Sequence, residues 1–152
     1  TLNVSQNQIN VVGTEFSFTS KLIEGNYPDY EKVFPVGDES KLIVDKNEFN
    51  TALSRASVLS NEKYRGIRLS LNKDLLKIEA NNPEKESAEE EIKVDYSGPE
   101  LEIGFNISYL QESLTTIKDL SAEIVFFGQE SSCIVKNKEN EDLIHVIMPM
   151  RL

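Results

Sequence analysis

Apolar and polar residues alternate from the first positions of the chain. Val4, Ile9 and Val11 lie before a turn at Val12-Gly13-Thr14, and Phe16 and Phe18 lie after it, with polar residues between. Period-two alternation predicts strands, so residues 2–23 read as a β-hairpin or two edge strands. Two turn-rich stretches follow, Glu24-Gly25-Asn26-Tyr27-Pro28-Asp29-Tyr30 and Phe34-Pro35-Val36-Gly37-Asp38-Glu39-Ser40. The second reads as a linker, which divides the chain into residues 1–40 and 41–152.

From Lys41 the pattern runs through one cycle twice. Leu42-Ile43-Val44 predicts a short strand. Asp45 then stands as a helix N-cap, with Glu48 three residues on completing a capping box. Phe49, Ala52, Leu53, Ala56 and Leu59 recur at helical spacing and make one apolar stripe. Strands are predicted at 66–71, 75–80 and 91–96, and Tyr96-Ser97-Gly98-Pro99 breaks the chain. The second cycle opens on the strand Leu101-Glu102-Ile103-Gly104-Phe105, with Asn106 as N-cap. Ile107, Leu110, Leu114 and Ile117 form its helical stripe, and strands follow at 122–127, 132–136 and 143–148.

Each cycle is therefore β-α-β-β-β. The predicted class is α+β: a tandem repeat whose halves pair into one sheet, with both helices on one face and the other face in water. The outward helix faces carry Asn47, Asn50, Thr51, Ser54, Arg55 and Ser57, then Gln111, Ser113, Thr115 and Lys118. They are mostly small and uncharged. Such a face fits an ordinary wet surface, and equally one past which something slides without being gripped.

Composition adds limits. With 152 residues the chain can bury a core without metal or disulfide support. No apolar run approaches the roughly 20 residues of a membrane span. The chain opens on Thr1 with strand-like alternation at once, which reads as part of something longer. Cys133 is the single cysteine, so no intrachain disulfide is available and a reducing compartment is favoured. Its place in Ser132-Cys133-Ile134-Val135 fits a small buried apolar residue. The formal charge of −10 argues against a high-affinity DNA grip by this segment.

Candidate chemistry is sparse. The single histidine, His145, sits inside a strand pattern and has no second histidine or cysteine set with which to build a zinc site. The seven glycines are scattered, so there is no phosphate loop. Glu84, Glu86, Glu89, Glu90 and Glu91 form the one acidic run. It could bind a divalent cation, but a charge run beside the loop-like Asn81-Asn82-Pro83 reads first as a solvated face, and within that class as a surface for a basic partner. No cofactor and no metal are expected.

Several stretches, in this order and spacing, resemble one family. They are Phe18-Thr19-Ser20-Lys21-Leu22-Ile23, Tyr27-Pro28-Asp29-Tyr30, Leu59-Ser60-Asn61-Glu62-Lys63-Tyr64-Arg65-Gly66, Ala80-Asn81-Asn82-Pro83-Glu84, Tyr96-Ser97-Gly98, Ile103-Gly104-Phe105-Asn106 and the terminal Met148-Pro149-Met150-Arg151-Leu152. Together they are similar to the last two-fifths of the β subunit of bacterial DNA polymerase III, the sliding clamp. The resemblance implies that residues 41–152 are the third of three similar domains. Residues 1–40 would be the tail of the second domain, a strand remnant with its linker.

The resemblance also implies a function. The family forms a head-to-tail homodimeric ring around duplex DNA and catalyses nothing. It tethers the DNA polymerase III catalytic subunit, the clamp loader and other replication and repair proteins, in the bacterial cytoplasm at the nucleoid. Partners insert a short apolar motif into a pocket. The matching positions here are Pro28, Lys32, Val33, Tyr109, Ser132, Val146, Met148, Pro149, Met150, Arg151 and Leu152. Methionine is soft and adaptable, which suits a site that serves many partners. Lys32 departs from the family's usual arginine: it keeps the charge and loses the planar fork. The implied ring interface falls on Val58, Leu59, Glu86, Glu89 and Glu90, and its partner would be a first domain absent from this chain. The alternative reading is a generic α+β interaction module with no DNA role, whose tail simply plugs its own core.

Overall fold

The computed structural model describes residues 1–138 and 143–151. They form two compact units, Thr1–Tyr30 and Glu31–Leu152. The first unit is an antiparallel meander of β1 (Leu2–Val4), β2 (Gln8–Val12) and β3 (Ser17–Lys21). The expected hairpin has an extra strand, because a turn at Ser5 interrupts the alternation: the Ser5 amide and hydroxyl both donate to the Gln8 carbonyl. The register Leu2–Val11–Phe18 puts apolar residues on one face. On the other, the Asn10 side-chain amide donates to Ser17 Oγ and Thr19 Oγ1.

The second unit opens with a 3-10 turn, Tyr30–Val33, and then follows the two cycles. The first cycle is β4 (Ser40–Asp45), α1 (Lys46–Ser57), β5 (Gly66–Asn72), β6 (Leu75–Asn81), β7 (Ser87–Lys93) and β8 (Asp95–Tyr96). The second is β9 (Leu101–Asn106), α2 (Ile107–Thr116), β10 (Ser121–Phe126), β11 (Cys133–Asn137) and β12 (Ile144–Ile147). The α+β class and the duplication stand as expected. The single sheet does not. The strands divide into a five-stranded sheet, β12-β11-β10-β4-β8, and a four-stranded sheet, β7-β6-β5-β9.

The division has a physical cause. The first strand of each cycle crosses into the other cycle's sheet: β4 pairs with β10, and β9 with β5. The strand expected at 91–96 also breaks. The Val94 amide donates to the Asp74 carbonyl in the β5–β6 turn, so Asp95 and Tyr96 leave β6 and pair with β4.

Local chemistry at each joint explains the element boundaries. Asp45 Oδ1 accepts from the Glu48 amide at 2.8 Å, and Asn106 Oδ1 from the Ser108 amide at 2.9 Å, so both predicted caps form. Each helix start is also tied to the loop after the other helix: the Lys46 amide donates to the Leu120 carbonyl, and the Ile107 amide to that of Arg65. Tyr96 is fully buried and donates to the Pro99 carbonyl at 2.6 Å. A Cβ on Gly98 would lie 2.6 Å from the Tyr96 hydroxyl, so only glycine fits there.

One hydrophobic cluster joins both helices to both sheets, with Phe49, Leu53, Leu110 and Leu114 meeting Leu69, Ile78, Phe105 and Ile124. Truncating Leu53, which is completely buried, leaves a cavity in this cluster. Leu53→Ala is expected to cost about 2–5 kcal/mol. Asp45→Ala removes only a cap and is expected to cost about 1 kcal/mol. Urea denaturation of the two variants checks both the magnitudes and their order.

Candidate functional site

The tail of the second unit leaves β12 at Met148 and is then fastened by backbone. Pro149 cannot donate to a ladder and ends the pairing. The next amide, Met150 N–H, donates to the Gly104 carbonyl of β9 at 2.7 Å, as an isolated antiparallel bridge. This mirrors the first cycle, where Asp95 pairs with Ile43 of β4. The tail therefore runs from the edge of one sheet to the edge of the other. Arg151 Nη2 stands 3.7 Å from Glu130 Oε1, both well exposed.

Two cavities flank the tail. One is an open groove of about 500 Å³ between α2 and β12, lined by Tyr109, Glu112, Thr116, His145 and Val146 among others. The second, about 240 Å³, is lined by Arg68, Gly104, Gln129, Glu130, Met150 and Arg151. Met148 (62% exposed) and Tyr109 (57% exposed) leave large apolar surface in water.

The expected peptide positions thus fall in separate places. Tyr109 and Val146 share the α2–β12 groove, and Met150 and Arg151 share the tail cavity. The β11–β12 register, Cys133 opposite Ile147, brings Ser132 beside Met148 when continued by one residue. Lys32 and Val33 lie in the 3-10 turn, and Pro28 is exposed at the end of the first unit. Leu152 lies outside the described residues. Gly104, Glu130 and His145 were given no binding role by the sequence. The signal for Gly104 was its place in Ile103-Gly104-Phe105-Asn106, and that for His145 was its alternation with buried Ile147.

Thr116 Oγ1 lies 2.6 Å from His145 Nε2 and 2.8 Å from the Ser113 carbonyl, so this hydroxyl joins α2 to β12.

The other expected surface lies at β7. The acidic run is not a loop: Glu89, Glu90 and Glu91 are on the strand, and only 81–86 turn. Asn82 fastens that turn, accepting from the Glu86 amide and donating to its carboxylate at 2.7 Å. Glu89 pairs with Lys77 at 3.0 Å. Glu90 receives Arg55 Nε and Nη2 at 2.7 and 2.6 Å, a paired geometry. Three residues after Arg55, Val58 projects from the end of α1 at 77% exposure, while Leu59 is half-buried. Among the described residues no group of three or more acidic, histidine or cysteine side chains could hold a metal ion.

The helix faces largely satisfy themselves. Thr51, Ser54, Ser57, Thr115 and Thr116 each donate to a carbonyl of their own helix. Gln111 reaches across to Asn50 and Ser54. Ser113, expected outside, is buried, with its hydroxyl on the Leu110 carbonyl. No helix of the described residues is long and apolar enough to cross a membrane.

A duplicated β-α-β-β-β domain with exchanged first strands defines a clamp-type α+β domain. The comparisons place it further. The family model for the DNA polymerase III beta subunit, C-terminal domain, matches residues 31–151, and the chain belongs to that family. The beta sliding clamp of Pseudomonas aeruginosa is 48% identical over 149 residues, which is 98% of this chain and 41% of that protein. A crystal structure of the P. aeruginosa DNA polymerase III subunit beta aligns at TM-score 0.94 and 48% identity, covering 99% of this chain and 42% of the other. A P. aeruginosa clamp structure bound to griselimycin aligns at 0.91 and 48% identity, covering 99% and 41%. The chain thus spans about two-fifths of the length of these relatives.

Two outcomes follow. Burial pushes the Cys133 thiol up to about 12. Thiolate is the reactive form, so at neutral pH native protein should resist thiol reagents, with labelling at the rate of unfolding. Fast stoichiometric labelling of folded protein would contradict this. The Arg55 hydrogen bonds hold the Glu90 carboxyl below the usual carboxylate range, against a smaller opposing effect of burial. A depressed folded-state value stabilises above the unfolded value and is lost as pH falls through the depressed one. The stability gap between wild type and Glu90→Gln should therefore narrow as pH falls from above the usual carboxylate range through and below it. Denaturation midpoints at several pH values check it.

Proposed function

We propose that this chain is the C-terminal part of a DNA sliding clamp, a non-catalytic processivity factor. In that reading residues 1–40 end the second clamp domain and link it to the third, 41–152. The full subunit would close as a homodimeric ring around duplex DNA in the bacterial cytoplasm, at the nucleoid. It would tether the polymerase III catalytic subunit, the clamp loader and other replication and repair proteins.

The observation that carries the reading is the fastened tail. Met150 is pinned to β9 while Met148 and Tyr109 stay exposed beside the α2–β12 groove. A tail that served only its own core would bury its large apolar side chains. The proposed peptide wall comprises Tyr109, Ser132, Val146 and residues 148–152, with Pro28, Lys32 and Val33 from the connector. Binding of griselimycin by the P. aeruginosa clamp supports a ligand site in the family. The self-satisfied helix hydroxyls support a face past which DNA moves without direct grip, since their donors are already engaged. The ring contact would fall on Val58, Leu59, Glu86, Glu89 and Glu90.

The test is a titration of the full-length subunit with a short peptide ending in a Leu-Phe-like motif. Deleting residues 150–152 should weaken binding by about tenfold or more, with the unfolding midpoint nearly unchanged. Unchanged affinity would remove the pocket assignment. Unfolding on truncation would favour the core-plug alternative.

A further inference from the structure

Oxidisable sulfur is unevenly placed in this chain. There are two methionines and one cysteine. Cys133 lies inside the hydrophobic cluster with no exposed surface, and burial keeps its thiol protonated at neutral pH. A buried thiol in that form is inert to oxidants. Both methionines stand in the last five residues, and neither belongs to the cluster. Met148 is 62% exposed. Met150 is half-buried, with its backbone amide on the Gly104 carbonyl. All the sulfur that solvent can reach is therefore gathered at the tail, three residues from end to end.

We propose that Met148 and Met150 are a modification site, at which a hydroperoxide converts the thioethers to sulfoxides and so releases an apolar peptide from the tail. The proposal rests on the reading of the tail as a peptide wall and adds its regulation.

The chemistry needs no catalytic group. With hydrogen peroxide, a sulfur lone pair attacks one peroxide oxygen. The S–O bond forms as the O–O bond breaks. The sulfur is oxidised by two electrons, and the proton of the transferred oxygen passes to the departing one, which leaves as water. Exposure sets the order, so Met148 reacts before Met150. A thioether is soft and apolar, whereas a sulfoxide is polar and a strong hydrogen-bond acceptor. Covering that oxygen with an apolar side chain strips it of water and gives it no donor. The fold is spared, because the cluster contains no methionine. Sulfoxide reductases reverse the product, so the change can act as a switch.

The test treats the full-length subunit with hydrogen peroxide, maps the oxidised residues by mass spectrometry of its fragments, and titrates the product with the Leu-Phe-like peptide. Sulfoxide should appear at Met148 ahead of Met150, with Cys133 unmodified. Peptide affinity should fall about tenfold or more while the unfolding midpoint stays nearly unchanged. Treatment with methionine sulfoxide reductases should restore the affinity. Met148→Leu/Met150→Leu removes the reactive atoms at similar volume, so this variant should bind peptide equally before and after peroxide, whatever its own affinity. Unchanged affinity in protein that carries both sulfoxides overturns the proposal. So does an equal peroxide-induced loss in the double variant, which would place the sensitive group elsewhere. Failure of the untreated subunit to bind the peptide is a separate result: it removes the peptide reading, and the proposed regulation with it.

Discussion

Everything in the second unit depends on strand exchange between its halves. β4 is hydrogen-bonded to β10 of the second cycle, and β9 to β5 of the first. Each sheet is then completed by a strand from the other half, so part of the backbone pairing of each half is supplied by the other. The helices follow from this. Each enters directly from an exchanged strand, and the first amide of each is bonded by the loop that follows the other helix. Lys46 strengthens the arrangement by donating its ammonium to the Ile117 carbonyl at the end of α2, where a cation opposes the negative end of the helix dipole. Pairings this distant in sequence make the 31–151 region fold as one body and not as two successive repeats.

Much of that body was legible from periodicity. Both helices start at the caps that Asp45 and Asn106 announce, and their buried stripes are those the spacing marks. Pairing was not legible. Alternation says which face of a strand is apolar, and β4 has the same alternation whether it lies beside β5 or β10. The break at Val94 was hidden for a related reason, since its amide turns to Asp74, a partner twenty residues away. Ser113 misled because a small polar residue on a helix reads as solvent-facing, whereas its hydroxyl is satisfied by the Leu110 carbonyl and can be buried at little cost.

The stretches that carry the family resemblance divide by role once placed in the fold. Asn61 accepts from the amides of Lys63 and Tyr64, and Asn106 donates to the Tyr64 carbonyl, so the 59–66 stretch is the seat on which α2 begins. Asn82 ties the turn before β7, and Gly98 makes room for Tyr96. These residues hold the scaffold. The tail is different: Met148 and Arg151 stay exposed, and it is held by the Met150 backbone and an exposed Arg151–Glu130 ion pair. The resembling stretches therefore contain two kinds of residue, those that fasten turns and those whose side chains stay exposed at the tail.

The candidate site could be read from the sequence as a set of positions, but not as a shape. Tyr109 and Met150 belong to different cavities, joined by a tail that bridges the two sheets. The geometry follows from duplication. In the first cycle the strand that leaves β7 pairs with β4 through Asp95 and Tyr96, and Tyr96 is buried. In the second, Met150 takes the place of Asp95 opposite Gly104 of β9, and the next residue, Arg151, is exposed where Tyr96 is buried. One repeat uses the position to close a core, and the other leaves it as an apolar rim. The difference between the twins lies in a structural contact that the first repeat makes and the second does not.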